Sequence, residues 1–337
     1  MITSFFSFDN PWFIGIASFF IAGGVVMFFI TFPIIFYNTM YRSPKKKRSR
    51  ECTNTKDPQQ MRMFDEGIAW AKQYSDLTEE LHIVNEGLNL YGEYINFGYN
   101  KCAVILQGRT ESLLYSYYFS DVYAQNGYNI LVIDVRAHGL SDGKYQTAGI
   151  KESDDLVLWL KLIHERYDID SFTLHGICVG AATAVYTYVK QKNEGLNLIK
   201  TIVTDGLYQS YYEMFKQNFR MRKKPVFPML HLVFLLAYVL AGVRVFRETP
   251  MKYMPYIDIP ILFLWSSKDI FCKKGKCEEL VEACTSEDKE ICFFPNGRHS
   301  HVRSTQATDY DRVIAKFLLK HNFETTEVYE NVLYAVR

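Results

Sequence analysis

Hydrophobic residues follow three kinds of pattern along the 337-residue chain. The first is a run over residues 12–37 with no charged side chain. At about 26 residues it is long enough to span a bilayer core with some tilt, and it predicts one N-terminal transmembrane helix. The second is a helical spacing at Met61, Phe64, Ile68 and Ala71, which predicts a helix over 61–74. From residue 81 the period changes. Leu81, Ile83 and the run Leu88-Asn89-Leu90-Tyr91 flank Asn85-Glu86-Gly87, so a β-hairpin is expected. Short continuous apolar runs follow at 102–106, 129–133, 172–174, 199–203 and 261–265. Such runs suit strands buried on both faces. Helices are predicted between them, over 113–124 with Asn126-Gly127 as its stop, and over 151–167 with Leu156, Trp159, Leu160 and Ile163 on one stripe. Strands alternating with helices imply an α/β fold, a mostly parallel sheet with helices on both faces.

Charge adds topology to this picture. The balance is nearly even, +1 overall, which gives no reason to expect a nucleic-acid partner. The apolar run, however, is followed by Lys45, Lys46, Lys47, Arg48 and Arg50, while only Asp9 precedes it. That asymmetry places the N-terminus outside and the rest of the chain in the cytoplasm, and it is not the pattern of a cleaved signal peptide. Residues 43–60 are polar and basic and read as a linker lying against anionic headgroups, a membrane-lipid contact. The expected organisation is an anchor over 1–40, linker and amphipathic helix over 41–78, an α/β domain over 79–325 and a tail over 326–337.

The candidate chemistry centres on Gly176-Ile177-Cys178-Val179-Gly180, at the junction of a strand ending near Leu174 and a helix starting near Ala181. Gly-x-Cys-x-Gly is the spacing of a nucleophile elbow, with a thiol where a hydroxyl is usual. The turn sets Cys178 at a helix N-terminus, whose positive dipole end favours a thiolate. Seven cysteines without a regular framework fit a reducing compartment. Cys272, Cys277, Cys284 and Cys292 match no common zinc spacing, so neither a metal nor another cofactor is expected.

Four stretches together resemble the α/β-hydrolases, over about residues 79–323. They are Asp134-Val135-Arg136-Ala137-His138-Gly139-Leu140-Ser141, the elbow with Ala181-Ala182-Thr183, Pro260-Ile261-Leu262-Phe263-Leu264 with Asp269, and Gly297-Arg298-His299. The chain is most similar to bacterial membrane-anchored hydrolases related to serine aminopeptidases and prolyl-oligopeptidase-type enzymes. The resemblance implies a nucleophile–acid–base triad of Cys178, Asp269 and His299, with His301 as a competing base. It also implies an oxyanion hole made by the backbone N–H groups of Val179 and Arg109, the latter from the loop Gln107-Gly108-Arg109-Thr110. The sequence departs from the family pattern at Cys178 for serine, Gln107 for histidine, Val179 for methionine and Ala137 for glycine.

Residues 206–256 are the place for a helical lid. Within them 227–243 is apolar apart from His231. About 17 residues is the short limit for a membrane crossing, and a crossing there would separate Asp269 and His299 from Cys178. A cap helix over the pocket or on the bilayer surface is expected instead. Two function classes follow. One is an acyl hydrolase acting on a small-molecule or lipid-like ester, thioester or related bond, or on a peptide-like amide. The other is a non-catalytic, membrane-tethered binding module on the same fold.

Overall fold

Strands form where apolar runs can be covered on both faces, and here they assemble into one sheet. The computed structural model describes residues 10–40, 51–52 and 54–321. Its strands are β1 (Thr78–Asn85), β2 (Leu88–Ile95), β3 (Lys101–Leu106), β4 (Asn129–Ile133), β5 (Ser171–Ile177), β6 (Ile199–Asp205), β7 (Ile261–Ser266) and β8 (Lys289–Phe294). They lie in the order β1-β2-β4-β3-β5-β6-β7-β8. The hairpin β1–β2 and the β2–β4 pair are antiparallel, and every later pair is parallel. The central strands are buried almost throughout, whereas β1 and β8, at the two edges, alternate. Strand β8 escapes the sequence pattern because it is an edge: Lys289 and Glu290 open it and leave too short an apolar run to recognise.

Helices occupy the connections: α1 (Pro11–Thr39), α2 (Pro58–Gln73), α3 (Glu152–Tyr167), α4 (Val179–Asn193), α5 (Tyr211–Met221), α6 (Met229–Ala241), α7 (Lys274–Ala283) and α8 (Ala307–Lys320). Local chemistry fixes their starts. Asn10 and Asp57 accept N–H bonds from Trp12 (3.0 Å) and Gln59 (3.1 Å), each just before a proline at the first helical position. The expected helix over 113–124 is broken into Leu113–Ser116, the 3₁₀ turn Tyr117–Phe119 and Asp121–Ala124. Leu113, Tyr115, Tyr117, Tyr118 and Phe119 are all buried, and no single helical stripe can bury five large residues within seven positions.

By length and composition α1 can cross a membrane. Its first turns are exposed, but Phe32 and Ile35 pack on the hydrophobic core and Phe36 and Met40 are buried. The Gln146 N–H donates to the Met40 carbonyl (2.9 Å), and α1 packs against α6. The basic cluster expected to set topology, residues 45–48, lies outside the described residues, as does the tail over 326–337. Between β6 and β7 the chain inserts α5 and α6 above the carboxyl end of the sheet.

Candidate active site

Strand β5 delivers Cys178 to the carboxyl edge of the sheet, and α4 leaves from the next residue. Cys178 sits at φ 54°, ψ −107°, outside the regions comfortable for a non-glycine residue. Two glycines make this turn possible. A Cβ on Gly176 would lie 2.3 Å from the Gly180 carbonyl carbon, and one on Gly180 would lie 2.2 Å from the Leu106 oxygen. The Cys178 N–H donates to the Asp205 carbonyl (2.8 Å), which ties the elbow to β6. Val179 opens α4, where the first N–H groups have no partner inside the helix.

Asp269 follows β7 and His299 follows β8, and the two meet. His299 Nδ1 donates to Asp269 Oδ2 at 2.6 Å. Asp269 Oδ1 accepts from the N–H groups of Phe271 (2.7 Å) and Cys272 (3.0 Å). Burial works against the Asp269 carboxylate, but the His299 charge and these bonds hold its pKa below the usual value. Burial would likewise lower His299, yet its electrostatic interactions with Cys178 and Asp269 keep its pKa well above the ordinary histidine value. His299 Nε2 is buried and has no hydrogen-bond partner among the described residues. His299 and Cys178 line one cavity of about 170 Å³.

His301 takes a different position. Its Nδ1 lies 2.8 Å from the His299 carbonyl and its Nε2 lies 2.8 Å from Gln60 Oε1, with no bond to Asp269. Of the two histidines, His299 has the carboxylate.

The loop Gly108-Arg109-Thr110 faces Cys178 across the same cavity. It is held from two sides. The Gly108 N–H donates to Glu111 Oε2 (2.9 Å), and His138 Nε2 lies 2.8 Å from the Arg109 carbonyl. The Arg109 guanidinium stacks 5.4 Å over the Phe215 ring of α5, which walls the cavity with Met214.

Sequence reasoning missed Gln60 and Glu111. Gln60 was taken as the end of a linker, but it is buried in the cavity wall. Its Nε2 donates to Glu111 Oε1 (3.1 Å), while its Oε1 meets His301, so it joins the loop of Arg109 to the loop of His299. Asp57, three residues earlier, pairs with Arg298 at 2.6 Å. No local signal marks these residues, since their partners are 51 and 241 positions away.

All seven cysteines are free. Cys272 Sγ lies 3.8 Å from His299 Nδ1, and burial pushes its pKa up to about 12. Asp269, Cys272 and His299 bring one donor atom each within 4.8 Å of one another, a metal-like spacing. A metal there would have to replace the proton shared by Asp269 and His299.

Comparison with known proteins bears on the fold. The chain matches no protein-family model. It is similar to the Pyrococcus furiosus esterase Pf2001, at 22% identity and a TM-score of 0.61, over 74% of this chain and 94% of that one. The fold is that of the α/β-hydrolases. Among curated sequences it is 25% identical to the uncharacterized protein YqkD of Bacillus subtilis, over 66% of this chain and 72% of that protein. It is also 23% identical to the uncharacterized membrane protein YNL320W of Saccharomyces cerevisiae, over 60% of this chain and 64% of that one.

Proposed function

We propose that this chain is a membrane-anchored hydrolase that cleaves an ester, thioester or related acyl bond through Cys178, His299 and Asp269. The observation that carries the reading is the Cys178 elbow, strained at φ 54°, opening into the cavity where His299 is already bonded to Asp269. Strain of this kind persists where surrounding structure enforces it, and it is concentrated at functional sites.

In the proposed cycle His299 Nε2 takes the thiol proton, and the sulfur attacks the acyl carbonyl carbon. The carbonyl π electrons move to oxygen, where the N–H groups of Val179 and Arg109 receive the developing charge. The intermediate collapses, the leaving group departs with the proton from His299, and a thioester on Cys178 remains. Water, deprotonated by His299, then releases the acid and restores the thiol. Asp269 holds the imidazole tautomer and stabilises its charged form throughout. A cavity of about 170 Å³ suits a small acyl group or the end of a longer chain.

In this reading α1 is the anchor, the insertion carrying α5 and α6 is a lid, and the catalytic domain faces the cytoplasm. The membrane naming of the yeast relative supports the anchor. A panel of acyl esters, thioesters and aminoacyl amides, run on the native protein and on Cys178→Ala, tests the activity. Turnover of at least one class that disappears with Cys178→Ala is expected. Turnover that survives the substitution, or none with any class, contradicts the reading and favours a tethered binding module.

A further inference from the structure

We propose that the outward face of α6, with the groove beside it, docks on an anionic phospholipid bilayer. The proposal rests on the reading of α1 as a membrane anchor. Helix α6 contains no charged residue. Leu230, Val233, Phe234 and Ala237 form its buried stripe. The opposite side is equally apolar: Leu235, Tyr238, Val239 and Leu240 are exposed, Val239 to 69%. Phe227, 75% exposed, and Phe246, 50% exposed, add to the apolar surface beside the first half of α6, where both rings lie against His231. A helix apolar on every side but for His231 needs a second apolar medium, and water is not one.

Beside the patch lies a groove of about 410 Å³ between α6 and residues 243–247, with Phe234, Tyr238, Val245 and Phe246 in its wall. Arg244 and Arg247 stand along it, and among the described residues neither has an acidic partner. Arg220, Arg222, Lys223 and Lys224 precede Phe227 in the chain and are exposed. Apolar side chains bordered by cations are the complement of an anionic lipid surface, with acyl chains below and phosphates above.

The position of α1 selects the bilayer as occupant. The apolar run Pro11–Phe36 has 26 residues. At 1.5 Å per residue it is ~39 Å long against a hydrocarbon core of ~30 Å, a surplus of roughly six residues. The body covers the C-terminal part of that run, at Phe32, Ile35 and Phe36, and α6 packs against α1. The face of α6 is therefore level with the surface at which α1 leaves the membrane. Helix α5 connects this surface to the site, since its Phe215 walls the cavity and packs on Phe234 of α6 (6.4 Å between ring centres).

The test uses the full chain in single-copy nanodiscs containing a phosphatidylglycerol with a photoreactive diazirine in its acyl chain. Labelled positions are mapped by peptide mass spectrometry. Peptides of α1 and of residues 227–247 should both label, and peptides of α8 should not. Replacing the probe by its phosphatidylcholine counterpart, or introducing Arg244→Ala with Arg247→Ala, should cut labelling of 227–247 by roughly fivefold and leave α1 unchanged. Val239→Glu should act in the same direction. Labelled α1 with 227–247 at the α8 background overturns the proposal and points to a second copy or a soluble partner on this face. Labelling indifferent to lipid charge overturns its anionic part. Unlabelled α1 refutes the anchor itself, and the readout is independent of whether Cys178 has any activity.

Discussion

The carboxyl end of the sheet and the insertion above it are built by opposite rules. At the sheet end polar groups are buried and bonded: Asp269 accepts three hydrogen bonds, and the Arg136 guanidinium pairs with Asp155 at 2.7 Å with both side chains hidden. In the insertion apolar groups are exposed, and among the described residues the cations Arg244 and Arg247 have no acidic partner, Arg244 lying over the Tyr238 ring. In the first region Asp269 and Arg136 are held by partners from the protein, and His299 Nε2 is left as a buried group facing the cavity with no partner among the described residues. In the proposed docking, the second is completed by the bilayer surface. Substitutions should therefore cost chemistry or stability in the first region and change only location in the second.

The largest effect is expected at Asp269→Asn. It keeps the shape but offers His299 the wrong hydrogen-bonding partner, and kcat should fall by roughly 10⁴-fold. A loss below tenfold would mean that the pair does not act as a unit.

Asp205 comes next, through pH. Burial raises its pKa to about 7, despite a hydrogen bond from the Tyr310 hydroxyl (2.9 Å). The folded carboxyl then keeps its proton where the unfolded chain, near pKa ~3.9, has released it. Stability is lost as pH rises from about 4 to about 7, on the order of 4 kcal/mol at most. Asp205→Asn should flatten that slope in thermal melts between these limits. An unchanged slope would show that the carboxyl is not confined as described.

Gln60→Ala should have a smaller effect, about tenfold on kcat/KM, because it unlinks Glu111 from His301 without touching the triad. An unaltered rate would return Gln60 to the status of linker. Val239→Ser should have the smallest effect, within about 0.5 kcal/mol of native stability, as expected for an exposed position. A large destabilisation there would mean that α6 is buried in the protein and needs no bilayer.

The same division governs what could be read from the sequence. The elbow was legible because Gly176, Cys178 and Gly180 act within five residues, and the central strands because burial on both faces leaves unbroken apolar runs. Asp269 and His299 followed from chain order and resemblance. Strand β8 was not legible, since an edge strand carries polar residues. Gln60 and Glu111 were not, because their roles come from contacts across the fold. The break in the helix over 113–124 was set by burial on several sides at once, which periodicity cannot express.

The central claim is that Cys178 is the activated nucleophile, and its alkylation tests this most directly. Burial raises the pKa of Cys102, Cys272, Cys277, Cys284 and Cys292, so these thiols are poor competitors for iodoacetamide at neutral pH. Alkylation rates for all seven cysteines, resolved by peptide mapping on the native protein and on His299→Ala, give the answer. The account predicts that Cys178 reacts at least tenfold faster than any of these five and loses most of that advantage in His299→Ala. A Cys178 that reacts no faster than its neighbours, or equally fast without His299, would contradict it.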